Sequence, residues 1–213
     1  MGRGSRLKKV TVQEPLKLDF GSGPNKRPGF QGVDSRKFDG VDHVVNLTAR
    51  WMEEEAGEAQ IFGAHIGDFK PWPWAAASVA EAHSSHFIEH LTATERVHFC
   101  NELYRVLVPN GTCQIITPHW ASNRAYGDFT HQWPPVAEMW FYYLNKEWRA
   151  QNAPHTDHQW NPDGFSCHFD ATWGYALRPD LSVRNQEFQQ FAIQNYKEVC
   201  TDLIATLTKR EMP

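Results

Sequence analysis

The run Leu18-Asp19-Phe20-Gly21-Ser22-Gly23 constrains this chain more than any other stretch. An alternating apolar segment from Leu16 to Phe20 stops abruptly in a glycine turn closed by Pro24, which reads as a strand followed by a tight turn. Glycine at such a turn admits positive φ and lets the backbone approach a ligand. Phe30 to Asp34 is a second short strand ending in a carboxylate, and Val41 to Leu47 is a third. Helix-spaced Val97, Cys100, Leu103, Tyr104 and Leu107 follow the cap candidates Thr92 and Thr94, and Pro109-Asn110-Gly111 ends that helix in a turn. Thr112 to Thr117 is β-prone and closed by Pro118. Strands alternating with helical segments in this way predict an α/β fold with a mostly parallel sheet.

The remaining segments are less regular. Trp51 to Ala59 is acidic and reads as a helix interrupted by Gly57, and Asp68 to Trp74 reads as loop because two prolines flank Trp72. Residues 119–164 are loosely patterned, with a helical candidate from Val136 to Ala150. Phe165 to Leu177 alternates as strands do, and Glu187 to Leu207 places Phe188, Ala192, Tyr196, Val199, Leu203 and Leu207 on one helical face. Residues 1–14 are expected to be a flexible basic tail before a single domain, 15–213.

Composition excludes several classes. A hydrophobic fraction of 41% with 22% charged residues is that of a globular chain. A formal net charge of -4 gives no electrostatic support for a nucleic-acid partner. The absence of a long apolar run gives none for a membrane span. Cys100, Cys113, Cys167 and Cys200 are widely spaced, which points to a reducing, cytoplasmic compartment.

Three blocks together resemble the class I S-adenosylmethionine-dependent methyltransferases. They are LDFGSG (Leu18 to Gly23), GVD (Gly32 to Asp34) and the run PWPWAAASVAEAHSSHFIEHL…ELYRVLVPNG (Pro71 to Gly111), the last being the most specific. Asp128-Phe129-Thr130-His131 is similar to a D-P-T-H segment of some uncharacterised or glycan-associated members. The resemblance implies a Rossmann-like three-layer sandwich with an aromatic-rich C-terminal insert. Its parts would be a cofactor-binding half (15–118), a substrate or lid region (119–185) and a C-terminal helix (186–208). It also implies S-adenosylmethionine as cofactor and a small-molecule or glycan-type methyl acceptor.

By the same resemblance, Gly21, Ser22 and Gly23 lie beside the methionine part of the cofactor. Asp19 orients the turn and reaches toward the amino group, Asp34 holds the ribose, Asp68 and Phe69 flank the adenine, and Ser85 and His86 face the sulfonium. His86, His119 and His131 are the candidate bases or acceptor contacts. The chain departs from the family at Asn25, where a third glycine is usual. It departs again in the eight residues Pro24 to Gln31, too few for a crossover helix.

Two rival functions remain open. His86-Phe87-Ile88-Glu89-His90 matches H-x-x-E-H, the inverted zinc-peptidase motif, which would need all five residues on a helix. A non-catalytic scaffold of the same fold is the other. No metal site is expected under the methyltransferase reading, although His155, His158 and His168 form a second histidine group. The aromatics of residues 119–175 read mainly as packing, with a few available as a substrate wall.

Overall fold

The computed structural model describes residues 16–51 and 65–212. The basic tail and most of the acidic segment after Trp51 lie outside these residues. Seven strands form one sheet: β1 (Leu16–Phe20), β2 (Gln31–Asp34), β3 (Val41–Val44), β4 (Val79–Ser85), β5 (Leu107–Pro118), β6 (Phe169–Leu177) and β7 (Cys200–Lys209). Their order is β3-β2-β1-β4-β5-β7-β6. The first five pair in parallel, and β7 inserts antiparallel between β5 and β6. The chain direction across the sheet reverses between β1 and β4, so a crevice opens beyond the carboxyl ends of these strands, where open α/β sheets bind ligands.

Register decides which side chains form the core. Leu18, Ala82, Cys113 and Leu207 align across four strands, as do Phe20, Ser84, Ile115 and Ala205. All are buried. Helix α1 (Ala93–Val106) covers this face with Phe99, Cys100, Leu103 and Val106. Of the two cap candidates Thr92 and Thr94, Thr92 caps it, in a reciprocal box with Glu95.

The loop after residue 70 seals the same core. Trp72, Trp74 and Phe99 surround Phe20, with ring centroids 4.7, 5.7 and 5.8 Å away. Glu102 accepts the Trp72 amide at 2.6 Å, while Arg105 pairs with Glu102 and donates to the Trp72 and Trp74 carbonyls.

The opposite face is polar: Asp19, His83, Gln114 and Thr206 align there, flanked by Lys17, Glu81, Thr112 and Thr208. No helix joins β1 to β2, as the short crossover requires. Instead Arg27 and Phe30 fold back over this face. The Arg27 Nη1 donates to Gln114 at 2.8 Å, and the Phe30 ring meets His83 edge-on.

Beyond β5 come four short helices: α2 (Arg124–Gly127), α3 (Glu138–Tyr142), α4 (Lys146–Asn152) and α5 (Pro179–Ser182). The single helix expected from Val136 to Ala150 is therefore two, divided where Asn145 leaves helical geometry and accepts the Trp148 amide to cap α4.

The long helix expected from Glu187 to Leu207, and with it the 186–208 helical region, is also corrected. Helix α6 (Gln186–Asn195) stops after Asn195, and β7 follows. Leu203, Ala205 and Leu207 alternate inward between β5 and β6, and β-branched Thr201, Ile204, Thr206 and Thr208 favour the strand. Strand β5 also begins earlier than expected, at Leu107, running through Asn110 at φ +60. Strand β6 begins later, at Phe169.

Trp72→Ala is expected to destabilise the protein by about 3–5 kcal/mol, the usual cost of deleting a buried large aromatic. The midpoint of urea unfolding, with the slope unchanged, checks this.

Candidate functional site

The glycine turn has the conformation expected of it: Gly21 and Gly23 have φ of +69° and +51°. A Cβ on Gly21 would stand 2.4 Å from the Phe87 ring, whereas one on Gly23 would meet nothing within 4 Å. The Ser22 hydroxyl turns back onto the Gly23 carbonyl. Asp34, at the end of β2, accepts the Gly23 and Arg36 amides, both at 3.0 Å. Asp19 is 3% exposed and faces the polar side of the sheet. One of its oxygens accepts the Arg27 amide and the other meets His83 Nδ1, each at 2.7 Å. Asp19 thus holds the turn from beneath.

A cavity of about 120 Å³ lies beside this turn, walled by Gly21, Asp34, Ser35, Val45, Asn46, Leu47, Thr48, Phe87 and Leu91. Asp68 and Phe69 are not brought to it. Phe69 is buried against the His98 ring at 4.6 Å, and Asp68 accepts the His65 amide. Asn46 occupies the wall instead. Its signal was present in the sequence, since it follows the third strand as a polar residue just as Asp34 closes the second.

Strand β4 ends at Ser85, which pairs with Ile116. His86 then turns the chain with φ +52. A non-glycine residue held in this region costs about 1–3 kcal/mol, and such strain collects at functional sites. Only Ile88–His90 forms a helical turn, of 3-10 type. The H-x-x-E-H segment is therefore not a helix, and the zinc-peptidase arrangement of His86, Glu89 and His90 is not formed. His86 instead places Nδ1 3.2 Å from Glu89 and Nε2 3.8 Å from Asp202. The hydrogen bond to Glu89 raises the His86 pKa above the ordinary imidazole value; partial burial opposes this, and the charges of Glu89 and Asp202 add to it.

A second cavity, about 570 Å³, opens on the other side of this segment. Its walls are His86, Glu89, His90, Pro118, Arg124, Gly127, Asp128, Phe129 and His131. His86 and His131 thus share one compartment, and His119 does not line it. His119 is 1% exposed, with Nδ1 accepting the Ala121 amide and Nε2 2.9 Å from Glu138. Burial works to raise the Glu138 pKa, but the hydrogen bond to His119 and its neighbours hold it down at about 2. Of the second histidine group, His168 is buried and accepts the Lys146 amide.

Arg96, which the sequence pattern does not single out, fixes both walls of the larger cavity. It is 2% exposed. Its guanidinium donates to the carbonyls of Ile88, Glu89, Gln132 and Pro134 at 2.6–3.4 Å, while the Gln132 amide donates to Glu89 O at 2.8 Å. Arg96→Met leaves the Gln132 and Pro134 carbonyls without this donor, while Ile88 O and Glu89 O keep the Leu91 and Gln132 amides, and is expected to cost about 1–3 kcal/mol for each carbonyl left unsatisfied. Arg96→Lys should rescue little of it, because an ammonium lacks the planar fork. Denaturant unfolding of both variants checks this.

No protein-family model and no curated protein matches the chain. Solved structures do. A SAM-dependent methyltransferase from Archaeoglobus fulgidus superposes with a TM-score of 0.55 at 16% identity, covering 92% of this chain and 86% of that one. A SAM-dependent methyltransferase from Methanosarcina mazei gives a TM-score of 0.46 at 12% identity, covering 93% and 94%. Strand order, the antiparallel β7 and the first of these superpositions agree: the chain has the fold of the class I S-adenosylmethionine-dependent methyltransferases.

Proposed function

We propose that this protein transfers the methyl group of S-adenosylmethionine to a small-molecule or glycan-type acceptor. The observation that carries the reading is the pairing of two cavities across one segment. One is the size of a single heterocycle and lies beside the glycine turn and Asp34; the other is large enough for an acceptor.

The residues at the smaller cavity suit the adenosyl group. Asp34 keeps lone pairs for a ribose diol beyond those given to the two amides. Val45 and Leu47 offer apolar walls, and the Asn46 amide can read the polar edge of a purine. Gly23 leaves its backbone open toward the methionine part. Phe87 lies against Gly21 in that region, so seating the whole cofactor displaces its ring. Ser85 and His86 close strand β4 on the side where the sulfonium belongs. The four cysteines are free and buried, and among the described residues no helix is long and apolar enough to cross a membrane. A cytoplasmic location is part of this proposal.

S-adenosylmethionine brings an activated methyl group, so the protein's share of the work is alignment. Holding donor and acceptor in line can contribute on the order of 7–11 kcal/mol. His86 lines the acceptor cavity and can receive a proton from a hydroxyl or amine acceptor.

Calorimetric titration with S-adenosylmethionine and with its demethylated product tests the assignment. Asp34→Ala should weaken binding about tenfold or more, the worth of hydrogen bonds to a charged group. Unchanged affinity in a folded variant overturns it.

A base must be unprotonated to act. With the His86 pKa raised, turnover should climb with pH through a limb above the ordinary imidazole value and then level off. His86→Asn should remove that limb and lower turnover about 10²–10⁴-fold with cofactor affinity near normal. A pH profile of turnover for both proteins on one acceptor decides.

A further inference from the structure

Among the described residues, Glu89, His90 and His131 form a group of three metal-ligating side chains, with one donor atom from each lying within 4.8 Å of the others. They stand on the wall of the larger cavity, two on the 3-10 turn after β4 and one 41 positions further along the chain.

Their hydrogen bonds fix which atoms are available. Thr130 Oγ1 lies 2.7 Å from Asp128 Oδ1 and donates its proton there, so toward His90 Nδ1, 3.0 Å away, it can only accept. The His90 proton is therefore on Nδ1, and the Nε2 lone pair is free for a ligand. His131 Nδ1 lies 3.3 Å from the Ala125 carbonyl, which also can only accept. Its Nε2 then carries the lone pair, with Asp128 Oδ2 3.9 Å away and beyond hydrogen-bond distance. Glu89 is 4% exposed, and its carboxylate is oriented by Thr117 Oγ1 and His86 Nδ1, each at 3.2 Å. Two imidazoles, each anchored through Nδ1 to an oxygen, and a carboxylate held by two further groups form the pattern of a metal site with its supporting shell. The Arg96 guanidinium and the Gln132 amide bind the two chain segments together directly behind these ligands.

We propose that Glu89, His90 and His131 bind one divalent first-row transition-metal ion in the acceptor cavity. Two histidines and one carboxylate suit Zn²⁺, Mn²⁺, Fe²⁺ or Co²⁺ better than Mg²⁺ or Ca²⁺, which prefer oxygen. Ligands about 2.0–2.2 Å from an ion stand about 3–3.5 Å apart, so donors that lie within 4.8 Å of one another need to draw together by at most about 1.8 Å on binding. Three protein ligands leave coordination positions open toward the cavity. An oxygen-bearing acceptor, a hydroxyl with a neighbouring oxygen above all, would take them and be presented to the methyl donor. That role rests on the methyl-transfer reading; the metal site does not.

The test uses the full chain without a histidine tag, stripped by chelator and titrated with Co²⁺ and Zn²⁺ by calorimetry and visible absorption. One equivalent of Co²⁺ should bind with a d–d spectrum showing nitrogen ligation, and Mg²⁺ should not displace it at equal concentration. His90→Ala, His131→Ala and Glu89→Gln should each weaken binding by at least tenfold. Thr130→Val, which replaces none of the three ligands but removes the hydroxyl that anchors His90 Nδ1 and donates to Asp128, should weaken it about 10–100-fold. His158→Ala is the control and should bind as the parent does. Thermal melting of the stripped proteins identifies any variant that fails to fold, and Thr130→Val then carries the decision. No stoichiometric binding, or equal affinity in the parent and the folded ligand variants, overturns the site. Separate titration with S-adenosylmethionine keeps the two readings apart, because cofactor binding without metal overturns this proposal alone, and metal binding without cofactor overturns only methyl transfer.

Discussion

A buried guanidinium holds the working end of this molecule together. Arg96 projects from α1 into a space almost closed to water, where an isolated charge would be prohibitive, and donates to four main-chain carbonyls from two segments far apart in sequence. Charge-assisted hydrogen bonds are worth more than neutral ones, and a planar fork can serve several acceptors at once. Burial pushes the Arg96 pKa down from its usual value, with the nearby Glu89 opposing. What the helix fixes through Arg96 is the spacing between the turn at 88–89 and the loop at 132–134, the two walls of the larger cavity. Arg149 does the same for the insert. It is wholly buried, donates to the Tyr143 and Cys167 carbonyls, and pairs with Asp157. The loop-rich region after β5 is thus ordered by buried arginines as much as by its aromatics.

The missing helix between β1 and β2 changes what the glycine turn can offer. A full helix there would present its N-terminal amides and positive dipole end to a ligand. Here the turn is supported by carboxylates: Asp34 receives the Gly23 amide and Asp19 receives the Arg27 amide. Arg27 and Phe30 then close over the buried Asp19–His83 pair, standing in for a layer of helix with two side chains. The polar face of the sheet follows from this. Residues such as Gln114 and Thr206 are tolerated where a covering helix would have required apolar ones.

Much of this was legible in the sequence because local signals agreed with the fold. The Gly21 and Gly23 turn, a threonine cap at the start of α1 and the helix-free crossover are all short-range features, although Thr92 and Thr94 are equal candidates for the cap until the Thr92–Glu95 box chooses between them. The C-terminal segment was misread because Tyr196, Val199, Leu203 and Leu207 satisfy a helical spacing. Their true environment between β5 and β6 rewards alternation instead, a tertiary effect that no local window contains. The family resemblance alone assigns Asp68 and Phe69 to the adenine, whereas the fold turns Phe69 inward onto His98 and brings Asn46 to the cavity. Arg96 and His119 could not be sorted by residue type alone. A charged residue on a helix normally reads as solvated, and a histidine at a strand end normally reads as available.

The segment from His86 to Leu91 joins these points. His86 adopts a left-handed conformation, and from there the side chains divide between two compartments. Phe87 and Leu91 wall the small cavity beside the glycine turn, while His86, Glu89 and His90 wall the large one. A regular helix would have set His86 and His90 on one face and given Phe87 no route to Gly21. The strained residue and the single 3-10 turn are what allow six consecutive positions to serve opposite sides. Because Ile88 is buried and Arg96 grips the carbonyls at 88 and 89, the partition is rigid where the two compartments meet. Side chains on either side can therefore change without moving the wall between them. Under the proposed methyl transfer, that separates the demands of holding a donor from those of choosing an acceptor.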